Sequence, residues 1–160
     1  MWLFYIIGAI YLGMVARKHP DLCRLSFRPI LTFLKYMVFI TSLRMLMFIL
    51  MQSQPHSAAM DSLSLCSVLG VFWEDAVFCL PLLVMDKLKV SRYLKYISIA
   101  LSSLIFATGH LAYSPMWATI TLLYIPCISY RFGKKHGILT VMVCHILFDL
   151  ITLITYRLFL

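Results

Sequence analysis

The chain has 160 residues, 62% of them hydrophobic and only 12% charged, with a mean hydropathy of +0.93. Ordinary soluble domains are nearer half apolar, so this composition excludes one and points to a membrane protein. The net charge of +8 does not imply nucleic acid as a partner, because such a surface needs basic side chains clustered with polar and aromatic ones on a soluble fold.

A helix needs about 20 apolar residues to cross the hydrocarbon core. With short connections the length accommodates about six, which predicts an all-α polytopic membrane protein and a single transmembrane domain over residues 1–160. The first apolar run, Met1 to Ala16, has neither a basic start nor a small-residue cleavage site near its end, and reads as a retained helix rather than a signal peptide. Arg17 to Arg28 is a basic connection, with Pro20 and Pro29 as helix breakers at its edges. The second run, Ile30 to Met51, holds Lys35 near one end, where it can snorkel to the interface, and Arg44 deeper inside. Gln52 to Ser62 is a polar loop without Lys or Arg. The third run, Leu63 to Met85, carries Glu74 and Asp75 near its middle and Pro81 a turn later. Lys87, Lys89, Arg92 and Lys95 mark the next connection. Tyr96 to Tyr130 is too long for one span and breaks most readily at Ser114-Pro115 into two helices. A last basic connection, Arg131 to His136, precedes the final run, Gly137 to Leu160.

Of the 14 Lys and Arg, four fall in the first connection, four in the third and three in the fifth, with none in the second or fourth. Cytoplasmic loops are enriched in these residues, so the alternation predicts one topology with both termini on the non-cytoplasmic side. A bacterial cytoplasmic membrane fits this pattern, with the endoplasmic reticulum as the alternative. The five cysteines are dispersed without a CxxC pair and read as apolar packing, not as a disulfide framework or zinc module.

Against this background the acidic residues are informative. Only six Asp and Glu exist in the chain, and Glu74, Asp75 and Asp149 all lie within apolar runs. A charged acid near the bilayer centre costs roughly 2.5–3.5 kcal/mol on insertion scales, so such residues face the protein interior and mark function by default. Residues four apart share a helix face, which pairs Phe106 with His110 and His145 with Asp149. The runs can thus direct two adjacent carboxylates, an imidazole, and a second imidazole backed by an acid into one cavity. That inventory suits water activation. A carboxylate shielded from solvent is a stronger base than one in water, and an imidazole can help to hold the attacking water. A second imidazole can donate to the oxyanion of a tetrahedral intermediate, with Asp149 keeping it in its donating state. The same residues also suit a proton relay, or a metal site built on Glu74, His110 and His145.

Order and spacing narrow the choice. Glu74-Asp75-Ala76-Val77-Phe78-Cys79, then Phe106-Ala107-Thr108-Gly109-His110, then His145-Ile146-Leu147-Phe148-Asp149 resembles the three motifs of the CPBP family, the CAAX-processing and bacteriocin-processing intramembrane endopeptidases. Those motifs are Glu-Glu-xxx-Arg, Phe-xxx-His and His-xxx-Asn/Asp, and the likeness covers residues 63–153. The resemblance implies an intramembrane endopeptidase that acts on a membrane-associated or lipidated peptide, with membrane lipid and that substrate as partners and no cofactor. Glu74 then corresponds to the water-activating glutamate, His110 to the water-positioning histidine, and His145 with Asp149 to the oxyanion pair. Asp75 matches the second, supporting acid. The sequence departs from the pattern at Asp75, where the family has Glu, and at Cys79, where it has Arg. Arg44 is the expected replacement for that missing cation. The alternative reading is a non-catalytic binding or immunity protein on the same scaffold.

Overall fold

A computed structural model describes residues 2–35, 38, 42, 65–111, 118 and 121–159. The protein is all-α, and no strand occurs among the described residues. Helix α1 (Trp2–Lys18) ends on Arg17 and Lys18, cations that suit the negative end of the helix dipole, with Pro20 just beyond. Residues 27–35 are also helical. Helices α2 (Leu65–Phe78) and α3 (Leu80–Lys87) follow, then α4 (Arg92–Gly109), a π-helical turn (Tyr124–Ser129), α5 (Tyr130–His136) and α6 (Ile138–Phe159).

Most of the second expected span lies outside the described residues, and α2, α3 and α4 are each shorter than the apolar run that holds it. Among the described residues, no helix is by itself long and apolar enough to cross a membrane. The third run shows one reason. Pro81 lacks an N–H and falls in the first turn of α3, so it cannot donate to Val77 O and the helix divides at Cys79. At about 1.5 Å per residue, the resulting pieces of 14 and 8 residues are each shorter than a hydrocarbon core of about 30 Å. The chain still continues in nearly the same direction, because Cys79 N–H donates to Asp75 O (3.0 Å) and Leu83 N–H to Cys79 O (3.2 Å). The expected loop at Gln52 to Ser62 and the break at Ser114-Pro115 lie outside the described residues.

Two apolar clusters set the packing. Val15, Ala76, Cys79, Leu80, Leu83, Ile138, Val141 and Met142 join α1, α2, α3 and α6. Leu82, Phe106 and Ile125 tie α3 and α4 to the π-helical turn. Helix α2 is therefore covered by α1 on one side and α6 on another. Elsewhere apolar side chains point outward: Leu3, Ile6, Ile7, Ile10 and Met14 along α1, and Leu94, Ile97, Leu101, Leu104 and Ile105 along α4. Contiguous apolar faces of this kind are unfavourable against water.

The three basic connections meet at one end of the molecule. Lys87 pairs with Asp21 (2.6 Å), and Asp86 receives both Lys95 (2.7 Å) and Lys134 (2.5 Å). Ile138 N–H donates to Leu22 O (2.7 Å), and Ser26 N–H to Thr140 Oγ1 (2.9 Å). Gly137 makes the tight passage from α5 to α6 possible. Its φ of +93° and the Arg24 carbonyl, which stands against where a Cβ would sit, leave room only for glycine.

Candidate active site

Glu74 and Asp75 are neighbours on α2 but serve different surroundings, since successive residues on a helix point about 100° apart. Asp75 is the more enclosed, with 1% of its surface exposed. Ser129 Oγ–H donates to its Oδ1 at 2.9 Å and Tyr124 O–H to the same oxygen at 3.1 Å. The third partner is His145, whose Nδ1 lies 3.2 Å from Oδ2 and 2.9 Å from the Tyr124 oxygen. As a carboxylate Asp75 can only accept. The proton on Nδ1 of His145 is therefore shared between Asp75 Oδ2 and the nearer Tyr124 oxygen, and Nε2 is left for other work.

The π-helical turn explains how two hydroxyls reach one carboxylate. On an α-helix, residues 124 and 129 would point about 140° apart. In an i→i+5 winding they return to nearly the same side. Pro126 sits inside this turn and cannot donate to the α-helical ladder, which favours the wider winding. Neither Tyr124 nor Ser129 is singled out by the motif spacing. The available signal is a Pro within an apolar run, flanked by two hydroxyl-bearing residues.

Glu74, half-buried, points into a group of titratable side chains and lies within electrostatic reach of His145, His110, Asp149 and Asp75. Asp149 is likewise within reach of His145 and His110. His110 follows the last residue of α4 as its C-cap, with Nδ1 2.8 Å from Phe106 O. Residue counting from Tyr96 places His110 nearer the helix end than Glu74 or His145 are to theirs. The structure places it at that end and still within electrostatic reach of Glu74, although α4 begins earlier than expected, at Arg92.

Aromatic rings form one wall of this space. Trp73 meets Phe78 edge-on at 6.4 Å, Phe78 meets Phe106 at 5.6 Å, and Phe106 lies against both His110 (4.5 Å) and Tyr124 (5.4 Å). Tyr124 in turn packs on His145 at 4.7 Å. Phe106 and Tyr124 thus link the two imidazoles through a continuous run of rings. Five of the six expected site residues, Glu74, Asp75, His110, His145 and Asp149, are gathered by α2, α4 and α6. The sixth, Arg44, lies outside the described residues. The bond expected from Asp149 to His145 differs in its source: Asp75 holds Nδ1, and Asp149 acts on the ring through space. Among the described residues, no three His, Cys, Asp or Glu side chains come together as a set able to hold a metal ion.

Cys79 occupies the position of the missing motif Arg. It is completely buried, one turn on from Asp75, in hydrogen-bonding contact with Ser129 and close to Gly133. Gly133 of α5 lies against it, so a longer side chain at this position would press on α5.

The fold and site define a class: an all-α protein in which three helices converge on a carboxylate–imidazole centre walled by aromatic rings. Residues 57–151, more than half of the chain, match the family described as Rce1-like, type II CAAX prenyl endopeptidase, and the chain belongs to that family. The family is membrane-embedded and its members are peptidases. The matched stretch includes Glu74, Asp75, His110, His145 and Asp149 and leaves out Arg44. No curated protein and no solved structure matches the chain.

Proposed function

We propose that the protein is an intramembrane endopeptidase that hydrolyses a peptide bond of a membrane-associated or lipidated substrate by Glu74-activated water. The observation that carries this reading is the convergence of Glu74 with His110, His145 and Asp149 from three separate helices. Glu74 takes a proton from water that His110 helps to hold, and the hydroxide attacks the scissile carbonyl. His145 meets the developing oxyanion through Nε2. Because Nδ1 is committed to Asp75 and Tyr124, Nε2 carries a hydrogen only in the imidazolium form, for which the Asp75 carboxylate is the counter-charge. Asp149, when protonated, adds a second donor. Collapse of the intermediate expels the amine, which receives the proton held by Glu74.

The outward apolar faces of α1 and α4 fit acyl chains, and the gathered basic end fits the cytoplasmic side of a bacterial membrane. Peptide or lipidated protein and membrane lipid are the partners this reading requires. A second reading, a binding or immunity protein without catalysis, is favoured by Cys79, which withdraws a cation from an acidic cluster. New protein termini in membranes expressing wild type, Glu74→Gln and His110→Ala at matched levels separate the two. A terminus that needs both side chains supports hydrolysis. Identical termini in all three, with a wild-type phenotype lost in both variants, support the binder.

A further inference from the structure

We propose that Tyr124 and Ser129 are positioning residues for His145: their hydroxyls hold Asp75 where the first motif would supply a guanidinium, and Asp75 fixes the imidazole through Nδ1. This rests on the reading of the site as a peptidase centre. A carboxylate that is 1% exposed needs donors for both oxygens, and one left short of them is costly. Its partners among the described residues are two hydroxyls and an imidazole, with no Lys or Arg. Ser129 O–H goes to Oδ1, Tyr124 O–H lies between Oδ1 (3.1 Å) and Oδ2 (3.4 Å), and Oδ2 faces Nδ1 at 3.2 Å.

Three features make this arrangement specific to the chain. Ser129 touches Cys79 as well as Asp75, so it fills the space through which a longer residue at 79 would reach the acid. Asp75 is one methylene shorter than the motif Glu, and the wider π-helical winding brings Tyr124 and Ser129 to it together. Tyr124 also packs its ring on His145, so one side chain orients both the acid and the imidazole. The groups facing His145 are then Asp75 and Tyr124 at Nδ1, with Glu74 and Asp149 within electrostatic reach.

The test uses the full chain in lipid nanodiscs with 15N-labelled histidine, the His145 signals being assigned by their loss in His145→Gln. In the wild type, His145 should show a protonated Nδ1. Asp75→Asn and the double variant Tyr124→Phe/Ser129→Ala should each replace that signal by exchange between the two tautomers, and Arg44→Ala should not. The proposal is overturned if the double variant keeps the wild-type signal, if Asp75→Asn keeps it, or if Arg44→Ala alone abolishes it. Should the double variant fail to fold, Tyr124→Phe alone, which removes one oxygen and no ring, gives the same reading. On a cleaved substrate, Tyr124→Phe should lower kcat roughly tenfold with little change in KM, and add nothing in an Asp75→Asn background. Wild-type protein without Glu74-dependent cleavage would count against the peptidase reading alone, because the histidine spectra judge the positioning independently.

Discussion

Glu74 and Asp75 differ by one position and about 100° of helix, and that rotation separates the reacting carboxylate from the one that supports it. Their burial in an apolar run, and the presence of His110, His145 and Asp149, were legible because each is an ionisable residue where lipid cannot satisfy it. Their partners were not legible, since hydrogen bonds from Tyr124 and Ser129 depend on which side of a distant segment faces α2. Replacing Glu74 by Gln should cut cleavage by about 10²–10⁴-fold, the span for loss of a general base, while thermal unfolding in detergent stays unchanged. Gly8→Ala makes a contrasting prediction. Its Cβ would stand 2.7 Å from Trp73 Cδ1, so α1 must shift from α2 at a cost of about 1–3 kcal/mol, seen as a lower unfolding midpoint.

Helices were legible as apolar runs, but their ends and interruptions were less so. Hydropathy starts the fourth run at Tyr96, whereas α4 begins at Arg92 because Ser91 caps it, accepting from Leu94 N–H at 3.4 Å. Arg131 to His136, read as a connection, is helical in α5, where Lys134, Lys135 and His136 suit the negative end of the dipole. Proline at 81 divides the third run, and proline at 126 accompanies a π-helical turn rather than a break. Periodicity registers neither effect, since both are departures from the 3.6-residue repeat. Pro126→Ala should therefore relax the turn toward α-helix, carry Ser129 away from Asp75, and lower activity more than stability, as measured by cleavage and unfolding on the same preparation. Gly137→Ala should do the reverse. With φ at +93° and the Arg24 carbonyl in the way, it should destabilise by about 1–3 kcal/mol and reduce folded yield without altering kcat of the folded fraction.

For the molecule as a whole, the alternation of basic and uncharged connections was a statement about topology, and the structure brings the three basic connections into mutual contact at one end. Asp86 is the junction. Its partial burial disfavours ionisation, but the hydrogen bonds and charges of Lys134 and Lys95 outweigh this and hold its carboxyl down at about 2, below the usual 3.8. Its contribution to stability is therefore complete above pH 3.8 and disappears as pH falls through about 2. Asp86→Asn should lower stability by about 1 kcal/mol near neutral pH and flatten the acid limb of the unfolding profile. The central claim is that Glu74 makes this family member a working hydrolase despite Cys79. Its most direct test is mass spectrometry of peptides incubated with the purified protein in vesicles, using a mixture of prenylated tails and amphipathic leader peptides, with wild type and Glu74→Gln in parallel. The account predicts new fragments from the wild type alone, unchanged by a chelator. Equal fragments from both proteins, or an intact mixture beside a wild-type protein that still binds a peptide, would contradict it.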